Sequence, residues 1–219
     1  VRVLLTILHV VLAAIGIVVV GGALSRHART GGPPVLPDLT FLTESMLVDQ
    51  RSVPAMPGTR WATIVASPQG GPAPVRPAEC GVFLSQGEVT QKALGLRSMN
   101  GAAIGVELAL TPRPVQIDGL ADRCASFSLA TPALQSETRL AAPPFDDVPA
   151  GSVGVLMHTR TTTDTQSLAW DIAMIVGVHR GVLVTAEYTP GPRGGRFDPA
   201  LAAALPDLYR AQLTRLDKV

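Results

Sequence analysis

No excess of either charge runs through this chain. Its 18 Lys and Arg stand against 17 Asp and Glu, for a formal net charge of +1, and charged residues make up 16% of the 219 positions. They are scattered, so there is no basic face to hold a phosphate backbone, which argues against nucleic acid as a partner. Lysine is nearly missing: two of the basic residues are Lys and the rest are Arg, a bias that fits a GC-rich genome and carries no mechanism. Cysteine is equally scarce, with Cys80 and Cys124 alone. A zinc site on that pair needs further ligands, and of the four His only His158 and His179 lie in the domain to supply them, so no metal is expected.

Signatures that carry a mechanism are also absent. The chain has no Gly-x-x-x-x-Gly-Lys phosphate loop, no Gly-x-Gly-x-x-Gly after a strand and no His-Glu-x-x-His, so no cofactor is expected. Ala150-Gly151-Ser152-Val153-Gly154 is the nearest approach to a nucleophile elbow. It lacks the Gly two before the serine and leads into a strand rather than a helix, which makes Ser152 a loop residue.

What is present begins with Val3–Leu24, apolar throughout except for Thr6 and His9. As a helix it reaches roughly 33 Å, enough to cross a hydrocarbon core. A lone His near one end is more readily tolerated at the headgroups than used in proton handling. No Cys follows the segment until Cys80, which excludes a lipoprotein signal; an uncleaved signal anchor over residues 1–25 is expected, with a cleaved secretory signal as the alternative. Arg26 and Arg29 after the segment, against Arg2 before it, favour a cytoplasmic C-terminal domain. The cysteine pair points the other way, and a two-residue N-terminal tail gives the charge rule little to act on. The expectation is therefore a single-pass membrane protein with its domain on the extracytoplasmic side.

Residues 26–38, which include TGGPPVLPD, form a Gly/Pro linker, and residues 39–219 form one α+β domain. Ser67–Pro77 is a surface loop within it. Alternation marks the strands. Ile104, Val106, Leu108 and Leu110 share a face, as do Val153, Val155 and Met157, and Trp61–Ala66 is a further strand. Leu168, Trp170, Ile172, Met174, Val176 and Val178 form an inward row that breaks at His179-Arg180-Gly181. The row resumes as Val182, Val184, Ala186 and Tyr188, a β-hairpin with Gly181 available for a positive φ. After Asp198-Pro199, an N-cap with Pro in the first turn, Leu201, Leu205, Leu208, Tyr209, Gln212, Leu213 and Leu216 recur at three and four, an amphipathic helix that Pro206 must kink or restart. The fold class is thus a mainly antiparallel β-sheet packed on one face by a C-terminal helix.

Cys80 and Cys124 each sit beside a strand end, and a disulfide is expected, which persists only outside the cytoplasm. Two independent buried thiols or a redox pair are the alternatives. Among polar side chains, Asp146 and Asp147 are neighbours in a Pro-flanked turn whose side chains diverge. His158, near Arg160, and His179, beside Arg180, titrate in the useful range but lack a positioned partner in the sequence. Trp170 and Tyr188 read as core rather than as a ligand platform. The run Thr159–Thr165 is polar and β-prone, the expected exposed strand edge for a partner to join.

Taken in order, the hydrophobic segment, the Pro-rich spacer, Pro77-Ala78-Glu79-Cys80, Leu120-Ala121-Asp122-Arg123-Cys124-Ala125-Ser126-Phe127 and the hairpin through Val178-His179-Arg180-Gly181-Val182 form a recognisable series. From about Val53 to Leu216 the chain resembles the small exported proteins and lipoproteins of unknown function from mycobacteria. These look distantly similar to the extracellular sensor domain of a mycobacterial serine/threonine kinase. The resemblance implies a cell-envelope domain with an antiparallel sheet flanked by helices, and it brings no catalytic residues. The kinase portion and the second disulfide of that sensor domain have no counterpart here.

Two functional classes follow. The first is a non-catalytic binding or sensory module of the envelope, its partners the membrane and an envelope protein, lipid or glycan. The second is a hydrolase whose residues, His158, Ser152, Asp146 and Asp147, meet only in three dimensions. A structural subunit of a membrane complex is a variant of the first.

Overall fold

Nine strands form one sheet in the order β1-β3-β4-β9-β8-β7-β6-β5-β2, every neighbouring pair antiparallel, in the computed structural model of the chain. The structure describes residues 36–67, 74–84, 88–191 and 195–219. Val3–Leu24 and nearly all of the expected linker lie outside the described residues. Among the described residues no helix is long and apolar enough to cross a membrane. Asp38–Val219 forms one compact unit.

The alternating segments take the strands expected of them: β1 (Arg60–Ala66), β4 (Ala102–Leu110), β7 (Ser152–Thr162), β8 (Ser167–His179) and β9 (Val182–Thr189). Four strands were not anticipated: β2 (Val75–Arg76), β3 (Gln91–Met99), β5 (Ser126–Ala130) and β6 (Gln135–Ala141). β2 falls inside the expected loop Ser67–Pro77 and pairs with β5. The C-terminal helical pattern resolves into α2 (Pro199–Ala203) and α3 (Leu205–Leu216), after a single turn α1 (Leu120–Arg123) earlier in the chain. Asp198 caps α2 by accepting from the Ala200 N–H at 2.9 Å, and Pro206 sits in the first turn of α3, where its missing N–H costs nothing.

Two expectations need correcting, and both come down to strand geometry. Arg180 and Gly181, with φ of 49° and 72°, make a two-residue turn, so His179 pairs with Val182 and Val178 with Leu183. Directly paired residues share a face, so the row Leu168 to Val178 and the row Val182, Val184, Ala186 and Tyr188 lie on opposite faces of the sheet. The sheet is therefore covered on both sides. On the first face α3 packs with Ile175, Ala186, Tyr188, Val184 and Ile104; on the second, Met174, Val176, Met157 and Ala109 pack against Phe83, Leu120 and Phe127. This two-sided cover explains why β4 is buried nearly without interruption.

The run Thr159–Thr165 is likewise not an edge. β7 lies between β6 and β8, with Thr162 opposite both Gln135 and Ser167. The outermost strands are β1 and β2.

Cover for the first face comes from an irregular strap as well as from α3. Residues 42–48 carry Leu42, Met46, Leu47 and Val48 into the core. Gln91 accepts from the Leu42 N–H at 2.7 Å and donates to the Leu42 carbonyl at 3.0 Å. At the back of the sheet α3 lies so close that a Cβ on Gly177 would stand 2.3 Å from the Tyr209 hydroxyl. Burial there pushes the Tyr209 phenol up to about 12.

Candidate functional site

On the second face the chain builds a layer from a 3-10 helix, Ala78–Leu84, and α1. Cys80 in the first and Cys124 at the end of the second have their sulfurs 2.09 Å apart, at disulfide distance, and both are fully buried. Between this layer and the sheet opens a groove of about 600 Å3. Ala109 of β4 and Leu183 of β9 line it from the sheet, Val75, Ala78 and Val82 from one side, and Val115 and Leu120 from the other. The bond thus ties together the two elements that form its walls.

Charge is confined to the rim and to one point on the sheet. Arg113 donates two bonds to Glu88, at 2.8 and 3.0 Å, and Arg123 pairs with Glu79 at 3.5 Å. Glu107, on the sheet, pairs with Lys92 at 3.3 Å. Glu187 lies on the same face, two residue pairs further along β9, opposite Gly105. Burial, reinforced by the Glu107 carboxylate and opposed by the Lys92 ammonium, raises the Glu187 carboxyl to about 7. An apolar trough with paired charges at its mouth can take a chain-like or flat apolar ligand; it offers no nucleophile and base in contact.

The residues singled out from sequence are dispersed. Ser152 and His158 share β7, but six residues of strand separate them, roughly 20 Å. The Ser152 hydroxyl donates to the Pro149 carbonyl at 2.6 Å, and the Asp147 carboxylate pairs with Arg210 of α3. His179 Nε2 lies 2.7 Å from the Asp217 carboxylate, and Arg180 donates to the carbonyls of Leu216 and Val219, so both hairpin residues tether the C-terminus. Tyr188 is core, as expected. Trp170 belongs to neither core cluster: β9 ends before reaching it, leaving it half-buried and paired only with β7.

His158 does acquire a partner that the sequence reading missed. Its Nδ1 lies 2.7 Å from Asp171 of β8, directly opposite in register. The pair lines a depression of about 290 Å3 on the open part of the first face with Glu137, Arg139 and Arg160. Asp171 stood in an otherwise apolar strand, and that polar interruption was the available signal.

No family model matches the chain, and no curated protein does. Among solved structures the chain is similar to the X-ray structure of an uncharacterised protein from Mycobacterium smegmatis, the ortholog of Rv0999. Identity is 15% and the TM-score 0.45, over 74% of this chain and 90% of that one. That neighbour is a mycobacterial protein without assigned function. At this score it carries no argument about the site, and nothing in it bears on the kinase sensor domain.

Proposed function

We propose that this chain is a non-catalytic binding or sensory module of the cell envelope, anchored by Val3–Leu24 with its domain outside, and that it takes an apolar ligand in the groove of the second face. The groove carries the reading. Its volume of about 600 Å3 lies within the usual range for small-ligand sites, roughly 300 to 1,000 Å3. Its walls are joined by Cys80 and Cys124, a bond that an oxidising compartment would preserve. The resemblance to exported mycobacterial domains, including a kinase sensor domain, supports the same placement. The hydrolase reading loses its support, because Ser152, Asp146 and Asp147 do not join His158.

A dansyl-labelled undecanoic acid titrated into the purified chain tests the groove. Saturable enhancement of dansyl emission is expected, weakened at least fivefold by Val89→Trp and by Val115→Trp, since both valines line the groove at partly buried positions where a larger side chain narrows the opening. Binding unchanged in both variants, or no saturable binding at all, would overturn the assignment. Protease added to intact cells tests the location: the domain should be digested without lysis, and digestion only after lysis would refute export.

A further inference from the structure

A second site, of different chemistry, lies on the first face over β6, β7 and β8. Glu137, Arg139, His158 and Arg160 are all exposed there. Register sets Arg139, His158 and Asp171 in one row across three strands, with Glu137, Arg160 and Ala169 in the next. Asp171 holds the His158 ring through Nδ1, which leaves Nε2 directed away from the carboxylate. Among the described residues the guanidinium of neither Arg139 nor Arg160 forms a hydrogen bond or ion pair, although Glu137 stands opposite Arg160.

Three nitrogen-bearing groups therefore meet over one depression, on strands that hold their spacing. Guanidinium groups match phosphate oxygens two bonds at a time, and such charge-assisted bonds are stronger than neutral ones. Arg139, Arg160, Glu137 and Asp171 sum to zero charge, and a protonated His158 raises the total to +1. Long-range attraction is therefore small, which disfavours a polyanion and leaves recognition to directed short bonds. The depression, about 290 Å3, exceeds what a bare phosphate fills. It adjoins a second of about 270 Å3 that shares Ala169, Trp170 and Asp171 and reaches Pro190 and Phe197. An anion subsite beside an aromatic and proline-lined one suits a phosphate carried on a sugar ring, whose apolar face packs on such side chains.

We propose that Arg139, Arg160 and His158 form a binding site for a phosphorylated sugar, the phosphate on the two arginines and the His158 Nε2, the ring over the neighbouring depression. The site is independent of the groove on the opposite face and stands or falls without it.

The test is a titration of the full chain followed by nitrogen-resolved NMR of the His158 imidazole and the arginine Nε groups. The ligands are inorganic phosphate, glucose phosphate and unphosphorylated glucose. Saturable shifts with glucose phosphate, weaker ones with inorganic phosphate and none with glucose are expected. The double variant Arg139→Gln/Arg160→Gln should weaken glucose phosphate binding at least tenfold while leaving the melting temperature unchanged. Resonances unmoved by both phosphates, or shifts that persist in the double variant, would overturn the proposal. Phosphatidylinositol vesicles in place of glucose phosphate distinguish the source: shifts with vesicles assign a lipid-borne headgroup, and shifts with the soluble compound alone assign a free sugar phosphate.

Discussion

The side-chain amide of Gln212 in α3 donates to the Met46 carbonyl at 2.7 Å, and its oxygen accepts from the Val48 N–H at 3.0 Å. One fully buried residue near the C-terminus thus fixes both ends of a short segment near the start of the domain. Gln91 treats Leu42 in the same way from β3. These two amides take the place of a strand ladder for the strap, which has no regular hydrogen bonding of its own beyond short 3-10 turns.

Replacing Gln212 by Ala leaves a buried N–H and a buried carbonyl without partners, and the expected loss is about 2 to 3 kcal/mol. Gln91→Ala, at a less buried position, should cost about 1 kcal/mol. Guanidinium unfolding measures both. Amide exchange at Val48 should accelerate in Gln212→Ala beyond the global change, a local signature that simple core damage would not give.

The Cys80–Cys124 bond closes a loop with a sequence separation of 44. Loop-closure entropy assigns it about 4 kcal/mol, the upper end if native strain intervenes. Cys80→Ser/Cys124→Ser should lower the denaturation midpoint accordingly and reduce dansyl-probe binding, since the groove walls lose their tie. A reductant should reproduce the shift in the native chain and leave the double variant unaffected. Equal stability of the two forms would remove the bond from the account of the fold.

Glu187 predicts a pH dependence of defined sign. Its folded carboxyl titrates at about 7 against an ordinary value of 4.5, so between these values the folded chain holds a proton that the unfolded chain has released. Its contribution therefore favours folding at the acid end and is lost as pH rises through the interval, by about 3 kcal/mol at most. Above about 7 the deficit is constant. Glu187→Gln should flatten this part of the profile, read as the difference in melting temperature between the two proteins across the interval. Parallel profiles would show that burial does not raise the Glu187 carboxyl as described.

Much of the sheet was legible. Strands β4, β7, β8 and β9 alternate over six or more residues, and the Asp198-Pro199 cap and the restart at Pro206 follow from local backbone chemistry alone. β3 was missed although Asn100-Gly101, with φ of 55° and 86°, is the strongest short hairpin signal available. β5 and β6 are short and polar on one side, as Ser126, Ser128, Glu137 and Arg139 show, and their pattern does not stand out from a loop. Of the candidate sites, the cysteine pair was visible as two residue types near strand ends. The groove was not, because its lining comes from separate elements between Val75 and Leu183 that no local pattern connects.

The amino-acid sequence by itself determined the strand period of the central hairpins and the cap and restart of the C-terminal helices, since each depends on residues within a few positions of one another. The tertiary structure alone decided which face each row occupies. Two residues at Arg180-Gly181 rather than three send Met174 and Val182 to opposite sides, and a slip of one position would reverse every side chain on the strand. The register of β7 against β8 brought Asp171 opposite His158 on the neighbouring strand and left Ser152 some six residues away on its own. Contacts of that kind are set by the closure of the whole sheet between its two covering layers, and the residues that make them carry no mark of it in the linear order.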